Sequence, residues 1–185
     1  MGEQHKKHSR REHLNDFHLN IAGEYVYDGA LYACQNDDAK QRRSKRAVWG
    51  MAAILTVAVA AGGCIPAPGM QNCFYVLLPY LGEFLGAASV IWALAKLGTD
   101  WSTVREYNYK KSVAVLPVRT VVTAVFSLLG IVCELIFFFV NDHAGQTFFA
   151  LLYVLLKLIA LLSVLVLRAE IMQAEWDKLP KKNNF

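Results

Sequence analysis

Four long apolar runs divide this chain of 185 residues. Each is long enough to cross the hydrocarbon core of a bilayer, which is about 30 Å thick and takes roughly 20 helical residues. Lipid offers the backbone no hydrogen-bond partner, and the runs do not alternate as barrel strands would, so helices are expected. The sequence therefore predicts an all-α membrane fold, a four-transmembrane-helix bundle, with spans one to four near residues 47–65, 74–95, 118–140 and 147–167.

Lysine and arginine are distributed unevenly around these runs. Of the 19 in the chain, nine precede span one, five lie between or beside spans two and three, and four follow span four. The short loops 65–73 and 141–146 contain none. Because cytoplasmic loops are enriched in Lys and Arg, this pattern predicts an N-in/C-in protein of the plasma membrane, with both termini and the loop 96–118 in the cytoplasm.

The pattern of charge and hydropathy predicts six successive segments. They are a basic, His-rich cytoplasmic arm (1–22), a β-hairpin with a basic linker (23–46), helices one and two (47–95), a cytoplasmic loop with a second hairpin (96–118), helices three and four (119–167) and a cytoplasmic tail (168–185). The arm is expected to contact anionic lipid headgroups. Lysines and arginines surround its histidines and repel cations, so a metal site there is not expected.

Two aromatic segments outside the runs favour β-structure. Asp28-Gly29 is a strong turn signal within residues 23–34 and predicts a hairpin there. Glu24-Tyr25-Val26-Tyr27 resembles Glu106-Tyr107-Asn108-Tyr109, which predicts a second hairpin in 105–119 and suggests a two-fold internal repeat. Chance similarity of two short aromatic strands is the alternative. If the repeat is real, the two ribbons would pair in one cytoplasmic sheet, because a lone hairpin is only marginally stable.

The tail contains no helix breaker before Pro180. Span four is therefore expected to continue as a helix through Lys178. Met172, Trp176 and Leu179 would then share one face, directed at the membrane surface or at the hairpins.

Three charged residues fall in the interiors of the runs, away from their ends: Glu83, Glu134 and Lys157. At about 1.5 Å per helical residue, Glu83 and Lys157 lie about 14 and 15 Å from the outer ends of their spans, and Glu134 lies about 9 Å deep. A lone charge at the bilayer centre costs at least about 2.5–3.5 kcal/mol. Lys157 is therefore expected to face the interior, paired with Glu83 and within reach of Glu134.

Two interpretations of this intramembrane polar site stay open. In the first, the ion pair fixes helix register, and the chain is a non-enzymatic accessory or scaffold subunit, or a homo-oligomer, of a bacterial-type plasma membrane. In the second, a carboxylate in the membrane transports protons or a small solute, using Glu83, Glu134 and Lys157. On the first interpretation, a protein partner or a second copy would dock on the cytoplasmic side.

The remaining reactive residues give weaker signals. Cys64 and Cys73 flank the loop between spans one and two and could form a disulfide, or they could stay free thiols. Cys34 and Cys133 are expected to be packing residues. The sequence contains no phosphate-binding glycine loop, no nucleophile elbow and no zinc-ligand spacing. Neither enzymatic activity nor a cofactor is therefore expected.

Overall fold

The computed structural model describes residues 17–19, 25–27, 29–141 and 147–179. It is mostly helical. Its helices are α1 (Asp38–Cys64), α2 (Pro68–Asn72), α3 (Phe74–Leu97), α4 (Glu106–Lys111), α5 (Leu116–Val140) and α6 (Thr147–Met172). Its strands are β1 (Phe17–Leu19), β2 (Tyr25–Tyr27), β3 (Leu31–Cys34), β4 (Val104–Arg105) and β5 (Trp176–Lys178).

Helices α1, α3, α5 and α6 are long and apolar enough to cross a membrane. They match the four predicted runs to within a residue or two apart from the start of α1 and the end of α6, so the prediction of four long apolar helices is confirmed. Helix α1 begins earlier than predicted, because the basic linker 40–46 is helical. Helix α3 ends at Leu97 and is followed by Gly98, whose φ of +69° suits a residue without a side chain. The Gly98 N–H donates to the Leu94 carbonyl at 3.0 Å.

The four long helices pack side by side around a common interior. Helix α1 contacts α6 and α3, and α5 contacts the same two helices from the other side. Helices α3 and α6 therefore occupy opposite corners. Helices α3 and α5 approach closely at Gly86, where an added Cβ would lie 2.6 Å from Thr123 Oγ1 and 3.2 Å from Thr123 Cα. Small residues allow such close approach, on which helix association in lipid depends.

Large apolar side chains cover much of the outer surface of these helices. Exposed residues include Leu85 on α3, Leu128 on α5 and Leu162 on α6. A monomeric soluble protein rarely exposes contiguous apolar area on this scale. The surface is instead compatible with contact to lipid.

Three distant segments of the chain form one antiparallel sheet at a single end of the helices, here called the sheet end. Strand β3 is central, with β4 on one edge and β5 on the other. Leu31 pairs with Arg105, and Cys34 pairs with Trp176. The sheet thus joins the segment before α1, the loop after α3 and the segment after α6.

The predicted hairpin over residues 23–34 is wrong in its pairing. Strands β2 and β3 exist, but β2 pairs with β1 in a separate two-stranded sheet. Both edges of β3 are occupied by β4 and β5, so none is left for β2. The two predicted ribbons therefore do not pair as hairpins; the contact between these regions is the pairing of β3 with the two residues of β4.

The second predicted hairpin, over 105–119, is also wrong. Residues Glu106–Lys111 form α4, with an acid in the first turn and two lysines in the last turn, which suits the helix dipole. Glu106 also forms an i,i+4 ion pair with Lys110 at 2.7 Å, and this bond holds the pKa of the Glu106 carboxyl below its ordinary value. The Glu-Tyr-x-Tyr motif is therefore helical in one place while Tyr25–Tyr27 is a strand, and this difference removes the local basis for an internal repeat.

The expected extension of span four to Lys178 is wrong as well. Helix α6 ends at Met172, and Trp176–Lys178 form β5. The edge of β3 offers these residues backbone hydrogen bonds, and Leu179 N adds one to Leu31 O at 2.8 Å. The centroid of the Trp176 ring lies 5.8 Å from the ring centroids of both Trp101 and Tyr109. Pairing and aromatic packing together outweigh the local helical preference.

Trp101 connects this sheet to the helices, and its side chain is only 1% exposed. Its indole N–H donates to Gly98 O at 3.3 Å, and Lys45 Nζ lies 5.7 Å from its ring centroid.

We expect W101A to lower the free energy of unfolding in detergent by about 3–5 kcal/mol, because a fully buried indole is removed. The matched control is W92A on α3, since the Trp92 side chain is 63% exposed. Equal losses in the two variants would contradict this role for Trp101.

Candidate functional site

The three charged residues predicted inside the membrane are all buried between the helices. Lys157 on α6 is 2% exposed, and Glu83 on α3 and Glu134 on α5 are 0% exposed. Each lies on the buried face of its helix. On α6 that face includes Ala150, Tyr153, Lys157 and Ala160, and on α5 it includes Thr123, Ser127, Gly130 and Glu134. The helical spacing of the sequence thus directs all three side chains inward.

Lys157 and Glu83 form an ion pair, as expected from their equal depth. The Lys157 ammonium contacts Glu83 Oε2. Because α3 and α6 lie at opposite corners, this contact crosses the centre of the interior. The two helices are thus tied through charged side chains, while other helices fill the space on either side.

Two tyrosine rings enclose the ammonium. Lys157 Nζ lies 4.5 Å from the ring centroid of Tyr80 and 5.1 Å from that of Tyr153. A cation within about 6 Å of an aromatic face is attracted by the negative face of the ring. Tyr80 is in turn held against α1, since its hydroxyl donates to Val59 O at 3.4 Å. The rings therefore replace water around the charge.

Helix α5 supports Lys157 from a third side. The Ser127 hydroxyl donates to the Lys157 carbonyl at 3.2 Å. One turn further along α5, Gly130 faces the lysine side chain, and a Cβ added there would lie 3.7 Å from Lys157 Cε and 3.9 Å from Nζ. A glycine here leaves open space beside the ammonium.

Glu134 lies apart from the ion pair. No contact between Glu134 and Lys157 is found in the described part of the chain, so the expected second partner of the lysine is not engaged. Instead, Gly69 N donates to Glu134 Oε1 at 3.4 Å. Gly69 belongs to the short helix α2 in the loop between spans one and two, and Ala67 and Pro68 beside it are also buried. This loop therefore folds inward and reaches the acid, which agrees with the shallow position expected for Glu134.

Three polar atoms in this region have no hydrogen-bond partner among the described residues. They are Glu83 Oε1, Glu134 Oε2 and the Tyr153 hydroxyl. The Tyr153 ring lies beside the Lys157 ammonium, which Glu83 pairs with. A buried polar atom without a hydrogen bond raises the free energy of the folded state, so three of them in one region mark this cluster as the candidate site.

The disulfide expected between Cys64 and Cys73 is not formed in the structure, where both are free thiols. The turn between them is instead held by α2 and by the contact of Gly69 with Glu134. Cys34 is buried beside Trp101 in the core at the sheet end, as a packing residue would be. Cys133 is half-buried on α5.

The His-rich arm and the outer loop containing His143 lie outside the described residues, apart from the short strand β1. Within the described residues, no cluster of three or more His, Cys, Asp or Glu side chains has the arrangement of a metal site. Comparison with protein-family models, curated proteins and solved structures finds no match to this chain.

Tyr80 and Gly69 are parts of this cluster that sequence reasoning did not single out. A signal for Tyr80 existed, because it precedes Glu83 by three residues and so shares its helical face. Tyr153 precedes Lys157 by four residues and so lies on the lysine side of α6 by the same spacing. Gly69 gave no such signal, since its loop meets Glu134 only after the helices have packed.

Truncation of Tyr80 tests the enclosure of the ammonium. We expect Y80L to lower the free energy of unfolding by about 2 kcal/mol, because a desolvated cation–π contact is lost. Y80F keeps the ring and loses only the hydroxyl, so it should cost about 1 kcal/mol, the worth of one hydrogen bond. Denaturant titration of both variants in one detergent measures the difference. A Y80F loss as large as that of Y80L would assign the effect to the hydroxyl instead.

Proposed function

We propose that this chain is an integral membrane protein with both termini and the loop 96–118 in the cytoplasm. Its four long apolar helices and their apolar outer surface support insertion. The sheet supports a common side for three segments, because β3, β4 and β5 come from the N-terminal region, the loop 96–118 and the tail. The excess of Lys and Arg in these segments supports the cytoplasmic side.

Within that membrane we propose a non-enzymatic accessory or scaffold subunit, or a homo-oligomer, of a bacterial-type plasma membrane. The observation that carries this proposal is the buried ion pair of Lys157 and Glu83, enclosed by Tyr80 and Tyr153. A lysine that is already paired and stacked is a poor site for a passing solute. It is well suited to fixing the arrangement of α3 and α6, which lie at opposite corners of the four helices and are joined by this pair.

The sheet end is the surface that we propose for a partner or a second copy. Three chain segments meet there, and stacked aromatic rings hold them together, with Tyr32 and Tyr109 4.2 Å apart between centroids and 5° from parallel. A surface assembled from several segments and held rigid is suited to protein docking.

Substitution of the pair tests whether it is structural. We expect E83Q and K157M singly to lower the free energy of unfolding by up to about 3–5 kcal/mol, because each breaks the buried pair that ties α3 to α6. The double variant E83Q/K157M should recover part of that loss and of the yield of monodisperse protein in mild detergent. The matched control is the exposed pair of Glu106 and Lys110, where E106Q and K110M should change stability by at most about 0.5 kcal/mol. A double variant no more stable than the worse single variant would argue against a structural pair.

A proton-coupled or small-solute transporter is the second candidate function. It is favoured by the buried atoms without partners, Glu83 Oε1, Glu134 Oε2 and the Tyr153 hydroxyl. Under this alternative, E83Q would assemble as the wild type does in vesicles and would abolish flux. Under the scaffold proposal, E83Q would impair assembly.

We also propose that anionic lipids contact the start of α1. Arg42, Arg43 and Arg46 are exposed and line one hollow with Ala39. They lie on the side of α1 opposite its buried residues Ser44 and Val48, directly before the apolar part of the helix. Within the described part of the chain, none of the three has an acidic partner. Such a group of guanidinium ions at the cytoplasmic interface attracts phosphate headgroups.

Lipid retention measures this contact. We expect the wild type, purified in mild detergent, to retain phosphatidylglycerol in preference to phosphatidylcholine in native mass spectra. The variant R42Q/R43Q/R46Q should lose that preference, because at about 1 kcal/mol per basic residue the attraction falls steeply. The control K110Q/K111Q removes two exposed lysines from α4 and should keep it. Equal losses in the two variants would assign the preference to overall charge.

A further inference from the structure

The interior of the four helices contains more acid than base. Glu83, Glu134 and Lys157 are the only Asp, Glu, Lys or Arg residues within 47–65, 74–95, 120–140 and 147–167. All three are buried. One ammonium can balance one carboxylate, and it is engaged by Glu83. The second carboxylate has no counterion from these spans.

Within the described residues, no other cation forms an ion pair with Glu134. Helix α2 contributes only the Gly69 amide and has no titratable side chain. Within 73–95, 120–140 and 147–167, the other titratable groups are Cys73 before α3, Tyr75, Tyr80 and Glu83 on α3, Cys133 on α5 itself, and Tyr153 and Lys157 on α6. Lys157 is the sole cation among them. An ionised carboxylate buried without a cation is far costlier than a protonated one, so a proton is the expected occupant.

We propose that Glu83 and Glu134 together form a binding site for one proton, and that Lys157 pairs with whichever carboxylate lacks it. In the observed state, Lys157 pairs with Glu83, and the proton is on Glu134. In the second state, the proton is on Glu83, and the lysine pairs with Glu134. Each state contains one carboxylate, one ammonium and one carboxylic acid, so the interior stays neutral.

The exchange of partners requires a path for the ammonium along α5. Glu134 follows Gly130 by four residues, so it lies one helical turn further along the same buried face. Gly130 has no side chain to block the space beside Lys157 Cε and Nζ. The lysine stem of four methylene groups is long and flexible enough to cover about one turn, or 5.4 Å.

Tyr153 is placed to serve both states. Its hydroxyl is fully buried and has no hydrogen-bond partner within the described residues, and its ring centroid lies 5.1 Å from Lys157 Nζ. It precedes Lys157 by four residues on the same face of α6. A phenol can rotate its O–H toward whichever carboxylate lacks the proton, and hydrogen bonds to a charged acceptor are the stronger ones.

This inference goes beyond the scaffold proposal and does not depend on it. The scaffold proposal is tested by assembly and stability. The proton site is tested by counting protonated carboxyl groups, so the two can fail separately.

Infrared spectroscopy of the full chain in lipid vesicles at neutral pH gives the count. The carboxylic acid C=O band is normalised to the amide band, and ¹³C-labelled glutamate assigns it to Glu. We expect one protonated carboxyl group per chain in the wild type. E134Q should have none, because Glu83 is paired. E83Q should also have none, because Lys157 turns to Glu134. K157M should have two, since both acids then lack the cation. The control variant E106Q changes a residue outside the interior and should keep one protonated carboxyl group per chain.

Each result decides for or against the site. A wild type with no protonated carboxyl band would overturn the proposal without any variant. An E83Q protein that retains the band would show that Glu134 holds a proton but that Lys157 does not change partner, which also overturns it. If E83Q does not fold, K157M takes its place, and a count of one or none in K157M contradicts the proposal.

Discussion

The arrangement of this protein depends on one contact, the ion pair of Lys157 and Glu83. Two charges that would each be costly in lipid are placed at one depth on helices at opposite corners, and they meet across the interior. Most features around them follow from that requirement. Tyr80 and Tyr153 provide aromatic faces in place of water, and Ser127 binds the lysine backbone. A pair of this kind adds little net stability over apolar packing, but loss of one member is costly, so it favours one helix arrangement over its alternatives.

At the sheet end, strand pairing and aromatic packing hold the helices together, in place of a buried ion pair. Three segments far apart in the chain share one small sheet, and Trp101, Tyr109 and Trp176 pack between that sheet and the helix ends. Helix α1 is also joined to α6 here by the Ser44 hydroxyl and Glu170 at 2.5 Å. The helices are thus fixed at one end by packing and in the middle by charge. The sheet end and the buried cluster are therefore connected by the same long helices.

Much of the candidate site could be predicted because depth in a helix is nearly a linear function of residue number. A rise of about 1.5 Å per residue places Glu83 and Lys157 level with each other, and the cost of a lone charge requires that they meet. The same reasoning places Glu134 one turn further out, where it contacts Gly69. The two hairpins were mispredicted because short strands have little intrinsic preference and take their structure from available sheet edges. Strand β3 offered both edges to other segments, and residues 106–111 found a local alternative in a helix that an ion pair supports.

The sequence by itself determined the four helices, their apolar outer faces and the inward direction of the three charges, since these follow from hydropathy and helical period, which are local properties. Tertiary structure alone decided which helices are neighbours, that α3 and α6 meet only through their side chains, and that the loop holding Gly69 folds in against Glu134. It also decided that the segment after α6 becomes a strand. Each of these outcomes depends on which surfaces remain free after the helices pack, and no single stretch of sequence contains that information.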